Sequence, residues 1–388
     1  LAAIACKQKT AADADTIAQT FSSNIQGKTF VVTGGSSGIG EETARVLAKH
    51  GGEVIIASHD ASRGQSAADR INAAPSTRGV AEFRQLDLAS FDSIDRFVSN
   101  YTKPLHGLIL NAGLFAPSFG YSRDGVEQVL QVNHLGHQHL ATGLTDALVS
   151  SQPSRVVVVS SWWSAKFAPE LVQPFTAETY PLQGFQSYGL AKLANVRFAR
   201  EFGRRLSADN DVHGITTSSV HPGLIHTNLG TARGNSVAAK LERFAAAIFW
   251  SLMWPFTRSV QQGASTQVYC AVADDAAAHS GRFYDSSQLV DFPSEAAADP
   301  SLDRELWERS QRLIDEARAG RFRHRLTETL QPSHGWFGGD AAVYAQVLAT
   351  LLAAYWVIFT TESTRDSMSL VRGLTIAGLV LKMVVVHV

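Results

Sequence analysis

The chain has 388 residues, enough for one large domain or two ordinary ones, and its 34 basic and 35 acidic side chains nearly cancel. This balance gives no sign of a nucleic-acid surface or of a polyanionic partner, so neither is expected. The two cysteines, Cys6 and Cys270, are too few and too far apart for a disulfide framework or a zinc site. We therefore expect no metal and a reducing compartment.

Residues 1–26 form an arm rich in Ala, Thr and Asp, within which 13–21 are predicted to be a short helix. From residue 27 onward, apolar runs alternate with amphipathic segments. Continuous apolar strands separated by helices predict an α/β fold, a Rossmann-type doubly wound parallel sheet of about seven strands with helices on both faces. The predicted strands are 29–33, 53–57, 81–86, 107–110, 155–160, 215–220 and 281–284. The predicted helices are 41–50, 63–72, 90–102, 123–148 and 187–206.

A glycine-rich run, Thr-Gly-Gly-Ser-Ser-Gly-Ile-Gly at 33–40, joins the first strand to the first long helix. A strand, a glycine-rich turn and a helix in that order predict a dinucleotide site. Gly34 lets the chain turn sharply, Gly38 lets the backbone approach a pyrophosphate, and Gly40 lets the helix pack closely on the strand. The N-terminus of the helix then faces the phosphate charge.

Tyr188 and Lys192 are four residues apart, so on a helix they lie on one face, one turn from each other. A nearby ammonium favours the phenolate and is expected to lower the tyrosine pKa toward the working range. Ser160 and Ser161 follow a run of four valines at 156–159, at the carboxyl edge where open parallel sheets place their ligands. A serine hydroxyl there can polarise a carbonyl or hold an alcohol for Tyr188.

Together these residues resemble the short-chain dehydrogenase/reductase family over residues 27–320. Within it they are most similar to the retinol dehydrogenase and WW-domain-oxidoreductase branch, although no WW domain is found in this sequence. The residues that carry the resemblance are the turn 33–40, Asn111-Ala112-Gly113, Asn133 in Val-Asn-His-Leu-Gly-His, Tyr188 with Lys192, and His221-Pro222-Gly223 followed by Thr227.

The resemblance implies a role for each matching residue. Tyr188 would be the proton donor or acceptor, and Lys192 would tune its pKa and bind the ribose. Ser161 would hold the substrate oxygen, and Asn133 would order a water against Lys192. Asp87 and Leu88 would lie along the adenine, and Asn111 with Gly113 would flank the adenosine half. The residues expected to bind the cofactor are Gly34, Ser36, Ser37, Gly38, Ile39, Gly40, His59, Arg63, Asp87, Leu88, Asn111, Ala112, Gly113, Tyr188, Lys192, Pro222, Gly223 and Thr227.

The choice between the two nicotinamide cofactors depends on the end of the second strand. An acid that accepts bonds from the ribose hydroxyls favours NAD, whereas a nearby cation accommodates the 2′-phosphate of NADP. His59 with Arg63 favours NADP(H), and Asp60 pulls toward NAD(H). From this charge balance we expect NADP(H) to be preferred. Beyond the cofactor, Trp162 and Trp163 either shape an apolar pocket beside Ser161 or partly fill it.

The character of the sequence changes near its C-terminal end. Residues 326–340 are predicted to be a linker after a domain at 27–325, and 341–388 an apolar tail. Residues 341–361 carry no charged side chain, and about 20 apolar residues suffice to cross a bilayer core as a helix. A second apolar stretch, 368–388, is interrupted by Arg372 and Lys382. The tail predicts membrane association, with a buried helix in a soluble dimer interface as the alternative.

These observations lead to two functional hypotheses. The first is an NAD(P)(H)-dependent oxidoreductase, attached to a membrane, that interconverts a lipophilic alcohol such as a retinoid or steroid and its aldehyde or ketone. The second is a catalytically silent accessory subunit of a membrane complex that keeps the fold, with or without a bound nucleotide. A homodimer or other membrane-complex partners stay open. His134, His137 and His139 are interpreted as packing or capping groups, because their spacing spreads them around a helix.

Overall fold

The computed structural model describes residues 12–115, 120–162, 164, 185–208, 212–225 and 257–327. All of them belong to one of two compact units of the chain, and the other unit, 230–255 with 330–388, lies outside the described residues. The predicted apolar tail and most of the predicted linker therefore also lie outside them. The domain boundaries at 26, 325 and 340 stay predictions.

Eight strands form a single sheet in the order β3-β2-β1-β4-β5-β6-β7-β8 within the described part of the chain. The first seven are parallel, and β8 runs antiparallel to β7 as the second strand of a hairpin. The strands are β1 (Thr29–Thr33), β2 (Glu53–Ser58), β3 (Val80–Gln85), β4 (Gly107–Leu110), β5 (Ser154–Val159), β6 (Ile215–His221), β7 (Arg282–Asp285) and β8 (Gln288–Val290). The predicted Rossmann-type α/β sheet is confirmed, with one strand more than expected.

Helices connect these strands and cover both faces of the sheet. They are α1 (Ala14–Thr20), α2 (Gly38–Lys49), α3 (Ala61–Ala73), α4 (Phe91–Ser99), α5 (Gln128–Leu130), α6 (Gly136–Gly143), α7 (Thr145–Val149), α8 (Phe185–Ser207), α9 (Val260–Val272), α10 (Asp274–Ala277), α11 (Glu295–Ala298) and α12 (Ser301–Arg318). A π-helical turn, Gln131–Leu135, joins α5 to α6. Among the described helices none is both long and apolar enough to span a membrane.

The sheet has a buried core on each face because successive strand residues point to opposite sides. Val31 of β1 packs into one core with Leu108, whereas its neighbour Val32 packs into the other with Ile109. Every residue of β1 and β4 is buried. This explains why both strands read as continuous apolar runs rather than as alternating ones.

The predicted helix over 123–148 begins later and is less regular than its sequence suggests. The side chain of Glu127 accepts the backbone N–H groups of Val129 and Leu130, which fixes the helix start after residue 127. The preceding residues form a turn in which Gly125 has a φ of 77°. The helix therefore begins at α5, and its π-helical turn contains Asn133.

Candidate functional site

The glycine turn between β1 and α2 adopts the backbone conformation that its composition predicts. Gly34 and Gly38 have φ of 65° and 58°, in the left-handed region that favours glycine. Gly40 is needed for a different reason, because a Cβ there would lie 2.4 Å from both Asn111 Nδ2 and the Gly34 carbonyl. A Cβ at Gly38 would meet no atom within 4 Å. The turn is thus closed on its Gly40 side and open at Gly38.

The open side of the turn coincides with the N-terminus of α2. Ser37 occupies the N-cap position in an extended conformation, and its side chain caps no backbone N–H. Ser37 and Gly38 are exposed, whereas Ser36 is buried with its hydroxyl 2.9 Å from that of Ser58 on β2. The first turn of α2 therefore presents uncapped backbone N–H donors beside free space, an arrangement that binds phosphate groups.

The residue before the turn, Thr33, joins it to the motif after β4. The Thr33 hydroxyl accepts the backbone N–H groups of Asn111 and Ala112 at 2.9 and 3.0 Å. The Asn111 side-chain amide donates in return to the Thr33 carbonyl at 2.8 Å. His137 of α6 lies 2.9 Å from the same hydroxyl. Two sequence motifs that are far apart in the chain are thereby locked together.

The end of β2 carries the side chains that were expected to choose the cofactor. Asp60 caps α3 by accepting the backbone N–H of Arg63 at 3.0 Å, and it also pairs with the Arg63 guanidinium at 2.6 Å. These two hydrogen bonds hold the pKa of Asp60 below its usual value. His59 and Arg63 are exposed. Asp60 and Arg63 thus form an exposed ion pair at the end of β2.

Asp87 and Leu88 follow β3, on the side of the site next to α6. The Asp87 carboxylate accepts the backbone N–H of Ala89 at 3.0 Å and lies 3.7 Å from the Arg123 guanidinium. Leu88 is buried, and its carbonyl lies against the Gly136 backbone, where a Cβ would approach it to 2.8 Å. Both residues therefore lie at the carboxyl edge of the sheet.

Asn133 and Lys192 both lie beside Gly113. A Cβ at Gly113 would lie 3.6 Å from Lys192 Nζ and 3.7 Å from Asn133 Oδ1. Asn133 is fully buried, and its amide pairs with both backbone groups of Leu114, accepting at 2.6 Å and donating at 2.9 Å. The π-helical turn thus directs Asn133 onto the segment after β4.

Lys192 is 2% exposed, and its ammonium donates to the Val159 carbonyl at the end of β5, at 2.8 Å. Burial lowers the Lys192 pKa to about 8. The ammonium lies 5.6 Å from the centroid of the Tyr188 ring. Burial raises the pKa of Tyr188 to about 12. The sequence predicted a lowered Tyr188 pKa, whereas in this arrangement burial raises it.

The two serines after β5 have different surroundings. The Ser160 hydroxyl donates to the Lys192 carbonyl at 2.6 Å and so fastens α8 to the strand. Ser161 is buried, and its carbonyl accepts the backbone N–H of Ser164 at 3.1 Å. Ser161 therefore lies two residues beyond the end of β5, at the edge where Lys192 binds Val159.

The segment after β6 is held by a side chain that the sequence did not single out. The Arg258 guanidinium donates to the Pro222 carbonyl at 3.3 Å. It lies so close to Gly223, whose φ is 93°, that a Cβ there would be 2.5 Å from Arg258 Cδ. Thr227 lies outside the described residues. Arg258 belongs to no sequence motif, so nothing in the sequence indicated its role. In the folded chain it is only 4% exposed.

Trp162 turns toward β7. Its indole packs edge-to-face on Phe283 at 5.8 Å between centroids and donates from Nε1 to Asp285 at 3.3 Å. Its backbone N–H points at His221 Nδ1, 3.4 Å away. Trp162 therefore lies across the end of β6, whereas Trp163 lies outside the described residues.

The three neighbouring histidines contact separate partners. His134 lies 2.8 Å from the Ser310 hydroxyl, His137 contacts Thr33, and His139 lies 2.7 Å from Asp95. Burial lowers the pKa of His134 to about 4 and that of His137 to about 3. Within the described residues no cluster of His, Cys, Asp or Glu could hold a metal ion.

The residues present fit a dinucleotide. The open space at Gly38 and the uncapped N–H groups of α2 suit a diphosphate, and a buried ammonium at Lys192 suits a ribose hydroxyl. Asn111 Oδ1 is buried without a hydrogen-bond partner next to this turn. The structure thus brings together at one sheet edge the turn, Asn133 and Lys192 with Tyr188.

The part of the chain that carries these residues is similar to known proteins. A family model described as short chain dehydrogenase matches residues 28–237. The chain is 37% identical over 307 residues to the WW domain-containing oxidoreductase of Gallus gallus, covering 76% of this chain and 69% of that protein. It is also 37% identical over 303 residues to retinol dehydrogenase 11 of Mus musculus, covering 75% and 88%.

Among solved structures, an uncharacterized protein from Mycobacterium paratuberculosis matches with a TM-score of 0.58 and 29% identity. The match covers 75% of this chain and 94% of that one.

Proposed function

Because the chain belongs to the short-chain dehydrogenase family, we propose that it interconverts a lipophilic alcohol and its aldehyde or ketone with a nicotinamide dinucleotide. The observation that carries this proposal is the buried Lys192 ammonium, 5.6 Å from the Tyr188 ring and beside Asn133, at the carboxyl edge of the sheet. When bound, the dinucleotide supplies or accepts a hydride at C4 of its nicotinamide. The chain supplies the proton and the geometry.

Several segments of the chain would hold the dinucleotide. The N–H groups of Gly38 and its neighbours in α2 would bind the diphosphate, and Asp87 with Leu88 would lie along the adenine. Lys192 would bind the ribose of the nicotinamide half. Pro222-Gly223 and, beyond the described residues, Thr227 would flank the nicotinamide.

Tyr188 would transfer the proton. Since its pKa is raised to about 12, its hydroxyl keeps the proton at neutral pH and can donate it to an oxygen that gains negative charge. In the opposite direction Tyr188 must lose its proton, and the Lys192 ammonium would then stabilise the phenolate. Ser161 would hold the substrate oxygen, and Asn133 would order a water against Lys192.

The proposed substrate class is lipophilic, such as a retinoid or steroid. The Tyr188 ring contacts Phe115 edge-to-face at 5.7 Å and packs with Leu114, Val129 and Ala191. Similarity to a protein named retinol dehydrogenase supports the same class. We further propose NADP(H) as the preferred cofactor, because Arg63 and His59 face solvent at the end of β2 where a 2′-phosphate would lie.

Attachment to a membrane through residues 341–388 completes the proposal. It rests on the uncharged run 341–361, which is long enough to cross a bilayer core. Flotation of the full chain with lipid vesicles, against a chain shortened at residue 340, tests it. Flotation that is equal for both chains would overturn the attachment.

The function is tested on the full chain purified in mild detergent. NADPH and NADH are titrated, and a panel of apolar aldehydes and ketones is then offered. The expected result is tighter binding of NADPH with oxidation of the cofactor by at least one carbonyl. Nucleotide binding without turnover across the panel would instead favour the accessory subunit.

Two tyrosine variants test the proton transfer. Tyr188→Phe should abolish turnover while nucleotide binding stays largely intact. Tyr284→Phe is the matched control, because Tyr284 is buried on β7 and its hydroxyl has no hydrogen-bond partner among the described residues. Undiminished turnover in Tyr188→Phe would rule out the mechanism.

A further inference from the structure

The hairpin that joins β7 to β8 has an unusual turn. Its two central residues, Ser286 and Ser287, have φ of 56° and 57°, and Asp285 pairs with Gln288 on either side. Two successive residues in the left-handed region form a two-residue hairpin turn that normally carries Asn and Gly. Serine is strained there, and such strain persists where the surrounding structure fixes it. We therefore asked what the serines contact.

The two serines differ in their contacts. The Ser286 hydroxyl accepts from the Arg258 guanidinium at 2.7 Å and donates to the Asp285 carboxylate at 3.0 Å. It thus completes the ion pair between Arg258 and Asp285, whose shortest N–O distance is 3.1 Å. The Ser287 hydroxyl is buried without a partner among the described residues. Only the first serine uses its side chain.

The ion pair is connected to both segments beside the proposed reaction centre. Arg258 donates to the Pro222 carbonyl and lies against Gly223. Asp285 accepts the indole N–H of Trp162, the residue that follows Ser161. One pair of charged side chains therefore joins the loop after β5 to the loop after β6.

His221 also contacts the loop after β5. Its Nδ1 accepts the backbone N–H of Trp162, and its ring lies edge-to-face with the indole at 6.4 Å between centroids. Burial lowers the His221 pKa to about 4, so the ring stays neutral and Nδ1 keeps its lone pair at neutral pH. Burial alone would raise the pKa of Asp285, but the Arg258 guanidinium and the hydrogen bonds from Ser286 and Arg258 hold it below its usual value. The carboxylate thus stays charged.

We propose that the Ser286 hydroxyl, acting through Arg258, Asp285 and Trp162, positions Ser161 relative to Gly223. Ser286 is a positioning residue, because it touches neither substrate nor cofactor in the proposed site. Its side chain fixes the orientation of the ion pair, and the ion pair fixes the two loops. The inference rests on the proposed function, since Ser161 and Gly223 are the groups that would flank substrate and nicotinamide.

Three variants of the full chain separate the hydroxyl of Ser286 from the strain of its backbone. Ser286→Gly removes both, Ser286→Ala removes the hydroxyl alone, and Ser287→Gly relieves strain without loss of a hydrogen bond. With NADPH and the best carbonyl of the panel, both Ser286 variants should lower kcat about 10- to 100-fold, because displaced loops misalign the reacting groups. KM should change far less than kcat.

Ser287→Gly is the matched control. It should raise the denaturation midpoint and leave kcat unchanged. Ser286→Gly should leave the midpoint unchanged or raised although kcat falls, which a merely structural role would not produce. Equal losses of kcat in Ser286→Gly and Ser287→Gly would show that turn geometry matters rather than the hydroxyl, and would overturn the proposal. Unchanged kcat in both Ser286 variants would overturn it as well.

A second measurement does not depend on turnover. With 5-fluorotryptophan in the chain, the ¹⁹F resonance of Trp162 is assigned by its loss in Trp162→Phe. It should shift in Ser286→Gly and stay in place in Ser287→Gly. If the wild-type chain shows no turnover but the variants still give this pattern, the proposed function is refuted and the positioning network stands. A Trp162 resonance unmoved in Ser286→Gly would refute the network.

Discussion

The Thr33 hydroxyl and the His137 imidazole lie 2.9 Å apart in the core, although 104 residues separate them in the sequence. Both lone pairs of the hydroxyl are used by the N–H groups of Asn111 and Ala112, so its proton is donated to the nearer remaining acceptor, His137 Nε2. His137 Nδ1 then donates to the Asn133 carbonyl at 3.1 Å. The contact therefore links the glycine turn to the asparagine of the site.

Thr33→Val tests this link. It preserves the shape of the side chain but leaves the buried N–H groups of Asn111 and Ala112 unsatisfied. We expect the free energy of unfolding to fall by about 3 kcal/mol and nucleotide binding to weaken. Denaturant titration and nucleotide titration measure the two effects. Thr20→Val, on the exposed end of α1, is the control and should change stability by less than about 0.5 kcal/mol; similar values for both variants would contradict the assignment.

Two glycines of the turn should fail in different ways. The Cβ added by Gly38→Ala would meet no atom, but alanine would have to adopt the left-handed φ of Gly38. We therefore expect the free energy of unfolding to fall by about 1 kcal/mol and nucleotide binding to weaken strongly. Gly40→Ala would collide with the Gly34 carbonyl and should cost about 3 kcal/mol before any ligand is added. Chemical denaturation and nucleotide titration of both variants distinguish them. Normal nucleotide affinity in Gly38→Ala would argue against a phosphate at that position.

Lys192 should make the stability of the protein depend on pH in the alkaline range. Its pKa is about 8 in the folded chain and near 10.5 when unfolded, so between these values the unfolded chain binds more protons. The free energy of unfolding then rises with pH, and the cost of burying the ammonium is fully present below pH 8.

The variant Lys192→Met, which removes the ammonium, tests the direction of this pH dependence. The difference in the free energy of unfolding between Lys192→Met and the wild type should shrink by on the order of 2 kcal/mol between pH 8 and 10. The comparison stops at pH 10 because Tyr188, whose pKa is raised, contributes the opposite slope above it. Parallel curves for the two chains would show that Lys192 titrates at its ordinary pKa.

Arg63 should decide between the two cofactors. Arg63→Ala removes the cation at the end of β2 and leaves the Asp60 carboxylate without its ion-pair partner, so NADPH affinity should fall about tenfold while NADH affinity holds or rises. Arg70→Ala is a matched control, because Arg70 lies on the same helix and pairs with Glu41. An equal loss for both nucleotides in Arg63→Ala would remove the basis for an NADP(H) preference.

The sequence predicted the sheet well because burial on both faces makes a strand conspicuous. The predicted bounds of β1 and β4 coincide with the observed ones. Strand β8 was missed because it has only three residues, two of them exposed, and no apolar run. Helix α9 was missed for the opposite reason, since it is buried on most of its surface and shows no polar stripe. Helix α12 was detectable, with Leu306, Leu313 and Ile314 at helical spacing.

The candidate site could be predicted only where its residues belong to local motifs. The turn 33–40 and the pair Tyr188 with Lys192 are fixed by short spacings on one strand or helix. Contacts such as that of Arg258 with Asp285 join separate segments through tertiary packing, and no residue spacing in the sequence predicts them. The pKa of Tyr188 was mispredicted for a related reason, because its burial depends on residues from other elements.

The π-helical turn before α6 has a genetic consequence. A π turn contains one residue more per hydrogen-bonded ring than an α-helix, so loss of a single codon within Gln131–Leu135 would let the helix close as a regular one. Residues on either side would keep their helical neighbours, but Asn133 would turn away from Leu114. The fold and the contact between Asn133 and Leu114 are therefore separable by the loss of one codon.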